Sequence, residues 1–156
     1  MTKCTIFQTP PSKNLINVGL LAVRLGLGAG FLLAGINKVS DPAAFGMMLQ
    51  NMAGIDPMMA PNMALLIGSL EILSGVLIWI GLITRIAAAY QLIVLVGAQV
   101  MFGFDFTMGP AIWKDPALIG IAIMLLLYGS GKFGLDYRIS KSKDVEVQAT
   151  EDNFFF

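Results

Sequence analysis

Two side chains in this sequence could do chemistry where water is scarce. Glu71 lies inside residues 63–83, a run of 21 residues with no other charge, and Arg24 lies inside the similarly apolar residues 15–36. Either charge costs about 2.5–3.5 kcal/mol at the centre of a hydrocarbon layer on insertion scales, so each must be paired or turned toward a polar interior. Counted from the run ends that share a side, Arg24 lies roughly 13 Å deep and Glu71 roughly 18 Å deep at 1.5 Å per residue. A difference of about 5 Å is within reach of an extended arginine, and the two are expected to pair.

The spacing of neighbouring residues extends this reading. Gly68, Glu71 and Gly75 share one helical face, and glycines beside a carboxylate let a second helix approach closely. Arg24, Gly28, Phe31, Gly35 and Lys38 form a stripe of the same period on the preceding run. Ala22, Gly26, Gly30 and Ala34 make a separate small-residue seam suited to another helix. Gln91 and Gln99, about 80° apart in azimuth, are the nearest further polar groups. The functional reading is a cavity for a polar or anionic group, flanked by Arg24 and Lys38 and lined by Glu71, Phe31, Gln91 and Gln99. In the plainer reading the Arg–Glu pair only sets helix register, since intramembrane polar contacts also serve packing. No catalytic side chain is expected.

Residues 37–62 and the start of the next run carry Met47, Met48, Met52, Met58, Met59 and Met63, six of the ten methionines. Thioethers suit Cu(I). Methionine is also an adaptable apolar filler, and with no Cys or His nearby the stretch is expected to lie on the bilayer as an amphipathic turn of helix, with no metal.

Behind these residues stands an all-α architecture. The chain has 156 residues, 56% hydrophobic and 13% charged, with a mean hydropathy of +0.77; a soluble domain carries about 25% charged residues. Apolar runs at 15–36, 63–83, 86–104 and 116–130 predict an integral membrane four-helix bundle. The first three are roughly 28–33 Å long and match a hydrocarbon core, whereas the fourth is only about 22 Å. Three spans with a buried hairpin end are the alternative. The first run is expected to be retained and not cleaved, because of its length, its internal Arg24 and the lack of an A-x-A site.

Basic residues set the expected orientation. Lys3, Lys13, Arg85, Lys132, Arg138, Lys141 and Lys143 fall on the side of both termini, against Lys38 and Lys114 opposite. Both termini are therefore expected to be cytoplasmic in the cell membrane. Trp79, Tyr90, Trp113, Tyr128 and Tyr137 fall near span ends. The chain divides into residues 1–14, a membrane unit at 15–138 and an acidic tail at 139–156 that ends in Phe154–Phe156. A net charge of zero argues against nucleic acid as a partner. One cysteine, Cys4, and no histidine exclude an internal disulfide, a CxxC pair, a zinc site and His-ligated haem.

Taken in order, these residues resemble the DoxX family of small four-helix membrane proteins. The similarity rests on Arg24-Leu25-Gly26, Gly35 with Lys38 and Phe45, and Gly54-Ile55-Asp56-Pro57. It continues with Glu71 before Gly75-Val76-Leu77 and Gly81-Leu82-Ile83-Thr84-Arg85, and closes on Gly129-Ser130-Gly131-Lys132-Phe133-Gly134-Leu135-Asp136. It covers about residues 17–138; the methionine-rich stretch and the tail depart from it. The family is functionally mixed, and some relatives are membrane subunits of thiosulfate:quinone oxidoreductases. The resemblance implies a non-redox-active subunit of a membrane oxidoreductase or respiratory assembly, offering a site for a quinone, the implied cofactor, or for a small oxyanion around the Arg–Glu pair, with Arg24, Lys38 and Glu71 as the family's polar positions. The competing expectation is a structural subunit that binds other membrane-protein subunits through the small-residue seam. A solute carrier fits less well, as no inverted repeat or broken span is visible.

Overall fold

A computed structural model describes residues 12–102 and 114–142. The expectations for Trp113, for the aromatic stretch before the fourth run and for the Phe154–Phe156 end lie outside the described residues. Among the described residues the chain is all helical: α1 Lys13–Ser40, α2 Pro42–Ala53, α3 Ala60–Ile80, α4 Thr84–Phe102 and α5 Asp115–Tyr128, followed by helical residues 135–142. Three helices, α1, α3 and α4, are long and apolar enough to cross a membrane. α5, with 14 residues, is about 21 Å long, shorter than a hydrocarbon core.

Local chemistry sets the helix ends. The Ser12 hydroxyl accepts the Leu15 N–H at 3.3 Å and starts α1. The Asp41 carboxylate accepts the Ala44 N–H at 3.0 Å ahead of Pro42, so the chain turns and re-enters a helix where the sequence suggested a single amphipathic turn. That capping pattern, an acceptor followed by proline at the first helical position, makes α2 a 12-residue helix. It packs along α3, with Gly46 against the backbone of Ala60 and Pro61. Gly81, at φ 69°, ends α3.

The α3–α4 turn is strained. Ile83 has φ 44°, a region β-branched residues rarely enter. Asp136 holds it there, its carboxylate accepting the N–H groups of Ile83 and Thr84 at 2.7 and 2.9 Å. One aspartate thereby fixes the turn and caps α4 from 52 residues away.

α1 packs principally on α3, and α4 on α5. Leu20, Leu27, Phe31, Ile78, Ala88, Leu95, Ala122 and Leu125 belong to one apolar core between them. Glycines bring α1 and α3 into backbone contact. A Cβ at Gly28 would come within 2.9 Å of the Gly75 carbonyl oxygen, and one at Gly35 within 2.6 Å of that of Gly68. The antiparallel register is thereby set, with Gly28 beside Gly75 and Gly35 beside Gly68.

Candidate functional site

That register decides who meets whom. Continued along both helices, it places Arg24 opposite Trp79, Leu32 opposite Glu71 and Lys38 opposite Leu65. Glu71 is thus eight residues, roughly 12 Å, from the level of Arg24, and six residues, roughly 9 Å, from that of Lys38. Helical side chains also lean toward their own N-terminus. This lean carries Arg24 away from Glu71 and carries Lys38 toward it. The expected Arg24–Glu71 pair is therefore corrected: the carboxylate pairs with Lys38, Nζ to Oε2 at 2.7 Å. The depth estimate failed because it counted from run ends, whereas the glycine contacts displace the two helices along their axes.

Arg24 is 1% exposed and finds its partners in the main chain. Its Nε donates to the Ile78 carbonyl at 2.9 Å, Nη2 to Trp79 O at 2.7 Å and Nη1 to Ser130 O at 2.9 Å. Ile78 and Trp79 are in the last turn of α3, whose carbonyls lack the regular donor four residues on, although Ile78 O also accepts the Gly81 N–H at 3.2 Å. The guanidinium fork supplies donors and ties this helix end to the turn after α5. Gly81 is required beside it, since a Cβ there would collide with the guanidinium. Asp136 adds a favourable Coulomb interaction. Trp79 locks the same corner, its indole N–H donating to Leu25 O at 2.9 Å.

The second polar cluster lies in the other half of the helix bundle. Glu71 is 2% exposed and Lys38 17%, so the pair has one buried end and one end open to its surroundings. The Lys38 ammonium also stands 4.8 Å from the centre of the Phe45 ring, in cation–π range. Ser74 donates its hydroxyl to Glu71 O at 3.0 Å and accepts Gln91 Nε2 at 3.3 Å. Because the Ser74 proton is already committed, the Gln91 amide must present N–H to it, which leaves Gln91 Oε1 buried without a donor. Gln99 repeats the pattern: Nε2 donates to Asp115 Oδ2 at 3.2 Å, and Oε1 has no partner among the described residues. Lys114 pairs with Asp115 at 3.0 Å and attracts Glu71 electrostatically, while Tyr90 lies within the field of that carboxylate.

Of the six candidate residues, Lys38 and Glu71 bond directly, and Gln91 joins Glu71 through Ser74. Gln99 bonds instead to Asp115. Phe31 is a core residue, and Arg24 belongs to the opposite end of α3. Sequence reading missed Ser74, Asp115, Ser130 and Asp136. Ser74 was findable, three residues beyond Glu71 on its face; the others follow from contacts across the chain. The six methionines are spread over α2, the α2–α3 link and the first turn of α3, with Met47, Met52, Met58 and Met59 exposed.

A family model described as DoxX matches residues 19–103. An uncharacterized membrane protein of Mycobacterium tuberculosis is 35% identical over 148 residues, covering 86% of this chain and 85% of that protein. No solved structure matches.

Proposed function

This chain belongs to the DoxX family of membrane proteins, and on that premise we propose that it is a non-redox-active subunit of a membrane oxidoreductase or respiratory assembly, holding a quinone headgroup at the Lys38–Glu71 cluster. The observation that carries the reading is a nearly buried ion pair linked through Ser74 to Gln91, whose buried amide oxygen lacks a donor among the described residues. Lys38 offers N–H to a quinone carbonyl, and Gln91 Oε1 offers an acceptor to a hydroxyl of the reduced form. Bound there, a quinone supplies two-electron, two-proton chemistry to a catalytic partner. The chain itself orients the headgroup and keeps water from it. Since Lys38 and Glu71 neutralise each other, a neutral headgroup suits the cluster better than a small oxyanion, whose charge Glu71 would repel.

The same proposal takes residues 15–138 as a four-helix membrane bundle in the cell membrane. α5, packed along α4, forms the short fourth crossing, and the excess of basic residues on the side of both termini places that side in the cytoplasm. The test is Glu71→Gln in membranes that contain the native assembly. Quinone-linked turnover is expected to fall about tenfold, the equivalent of one charge-assisted hydrogen bond, while the protein still accumulates and melts cooperatively. Unchanged turnover in folded protein would count decisively against a ligand at this cluster.

A second reading, an assembly subunit without a ligand of its own, has its own observation. Ala22, Gly26 and Gly30 face outward on α1, and a Cβ at either glycine would meet nothing within 4 Å. Small residues at such a surface let another membrane helix approach closely. In that case Gly26→Leu would release the chain from its assembly and leave its own melting temperature unaltered.

A further inference from the structure

At the end of the molecule that Arg24 closes, a cavity of about 500 Å³ opens between the α3–α4 turn and the segment after α5. Thr84, Arg85, Tyr128, Ser130, Asp136 and Tyr137 are in its wall. Asp136 is the one carboxylate there, and both its oxygens are already occupied by backbone N–H groups. Arg85 is the reverse case. Its Nη2 donates to Leu127 O at 3.2 Å, and among the described residues no carboxylate pairs with it. Thr84 is 0% exposed, and its hydroxyl has no hydrogen-bond partner among the described residues. A buried polar group left in that state is costly and calls for an explanation.

A guanidinium that no carboxylate among the described residues pairs with and an orphan hydroxyl in one cavity wall are complementary to a tetrahedral oxyanion. Arginine binds phosphate oxygens through two parallel N–H bonds. We infer that this cavity binds a phosphate group, carried by the headgroup of an anionic membrane lipid or by free phosphate. The surface beside it favours the lipid. Ile86, at the cavity mouth, begins an outward stripe with Ile93 and Val100, exposed by 69%, 70% and 80%. The spacing of seven keeps the three on one face of α4, a track along which an acyl chain can lie once its headgroup is held at Arg85. This inference is independent of the Lys38–Glu71 reading, which concerns the opposite half of the molecule.

The test uses the full chain in mild detergent, with thermal unfolding and native mass spectrometry after addition of phosphatidylglycerol, diacylglycerol or inorganic phosphate. Phosphatidylglycerol is expected to bind about tenfold more tightly than diacylglycerol, the scale of one charge-assisted contact. Arg85→Gln should erase that preference, and Lys141→Gln, an exposed charge outside the wall, should preserve it. Thr84→Val should raise the melting temperature of the lipid-free protein, by removing the orphan hydroxyl, yet reduce the further rise on adding phosphatidylglycerol. If inorganic phosphate alone reproduces the Arg85-dependent shift, the site stands with a soluble source. Equal responses to phosphatidylglycerol and diacylglycerol, or a preference untouched by both Arg85→Gln and Thr84→Val, would overturn the inference. If Arg85→Gln does not accumulate, the Thr84→Val pair of measurements decides alone.

Discussion

Arg24 and Lys38 sit on the same face of the same helix, yet they finish with opposite kinds of partner. Arg24 spends its donors on three main-chain carbonyls and is sealed at 1% exposure. Lys38 keeps an outward-facing end and meets Glu71, which is linked through Ser74 to Gln91, whose amide oxygen has no donor among the described residues. Three of the five guanidinium N–H groups of Arg24 tie two chain segments together, whereas the cluster around Lys38 includes a buried acceptor that is still unfilled. The first arrangement reads as architecture, the second as a candidate site.

The sharpest way to break this contrast is Arg24→Met. It strips donors from the carbonyls of Ile78, Trp79 and Ser130 together, and stability should fall by roughly 3–5 kcal/mol, measured by thermal unfolding in detergent. Arg24→Lys should recover less than half of that loss, because an ammonium cannot reproduce the planar fork. A melting temperature unchanged by either variant would show that the corner is not held by this residue.

Next in size is the Lys38–Glu71 pair. Its hydrogen bond is charged at both ends, so a double-mutant cycle with Lys38→Met and Glu71→Gln should return a coupling of about 1.5–3 kcal/mol. A coupling near zero would reduce the pair to a surface contact and remove the reason to place a ligand there.

A third effect separates the two glycine faces of α1. Gly28→Ala sets a methyl against the Trp79 indole and the Gly75 carbonyl, and overpacking of this kind costs about 1–3 kcal/mol. Gly30→Ala meets open space and should change the melting behaviour of the isolated chain by less than about 0.5 kcal/mol. Equal effects at the two positions would contradict the α1–α3 register. Smallest of all is Gln91→Met. Since Gln91 Oε1 has no donor, its loss should leave stability within about 1 kcal/mol of the parent, while any activity that depends on the Lys38–Glu71 cluster falls.

Much of the fold was legible in the sequence because hydrophobic runs and glycine spacing are local properties. Three long apolar helices occur close to the expected runs, and the stripe from Arg24 through Gly28 and Gly35 does face α3. Less legible were elements set by a single cap. Asp41 with Pro42 makes α2 a 12-residue helix packed on α3, where the sequence suggested a loop forming only an amphipathic turn of helix on the bilayer. Of the candidate cluster, Glu71, Lys38 and Gln91 were named as site residues, and Ser74 between them was not.

The sequence by itself determined that two buried charges must find partners, since a lone ion in hydrocarbon is too costly to leave unpaired. It could not determine which partners. Depth counted along separate runs contains no information about how one helix slides against another; only the backbone contacts at Gly28–Gly75 and Gly35–Gly68 carry it. Those contacts, together with the lean of helical side chains toward the N-terminus, sent Arg24 to the end of α3 and brought Lys38 to Glu71. Likewise Asp136, far along the chain, becomes the cap of α4 only once the segment after α5 folds back over the α3–α4 turn.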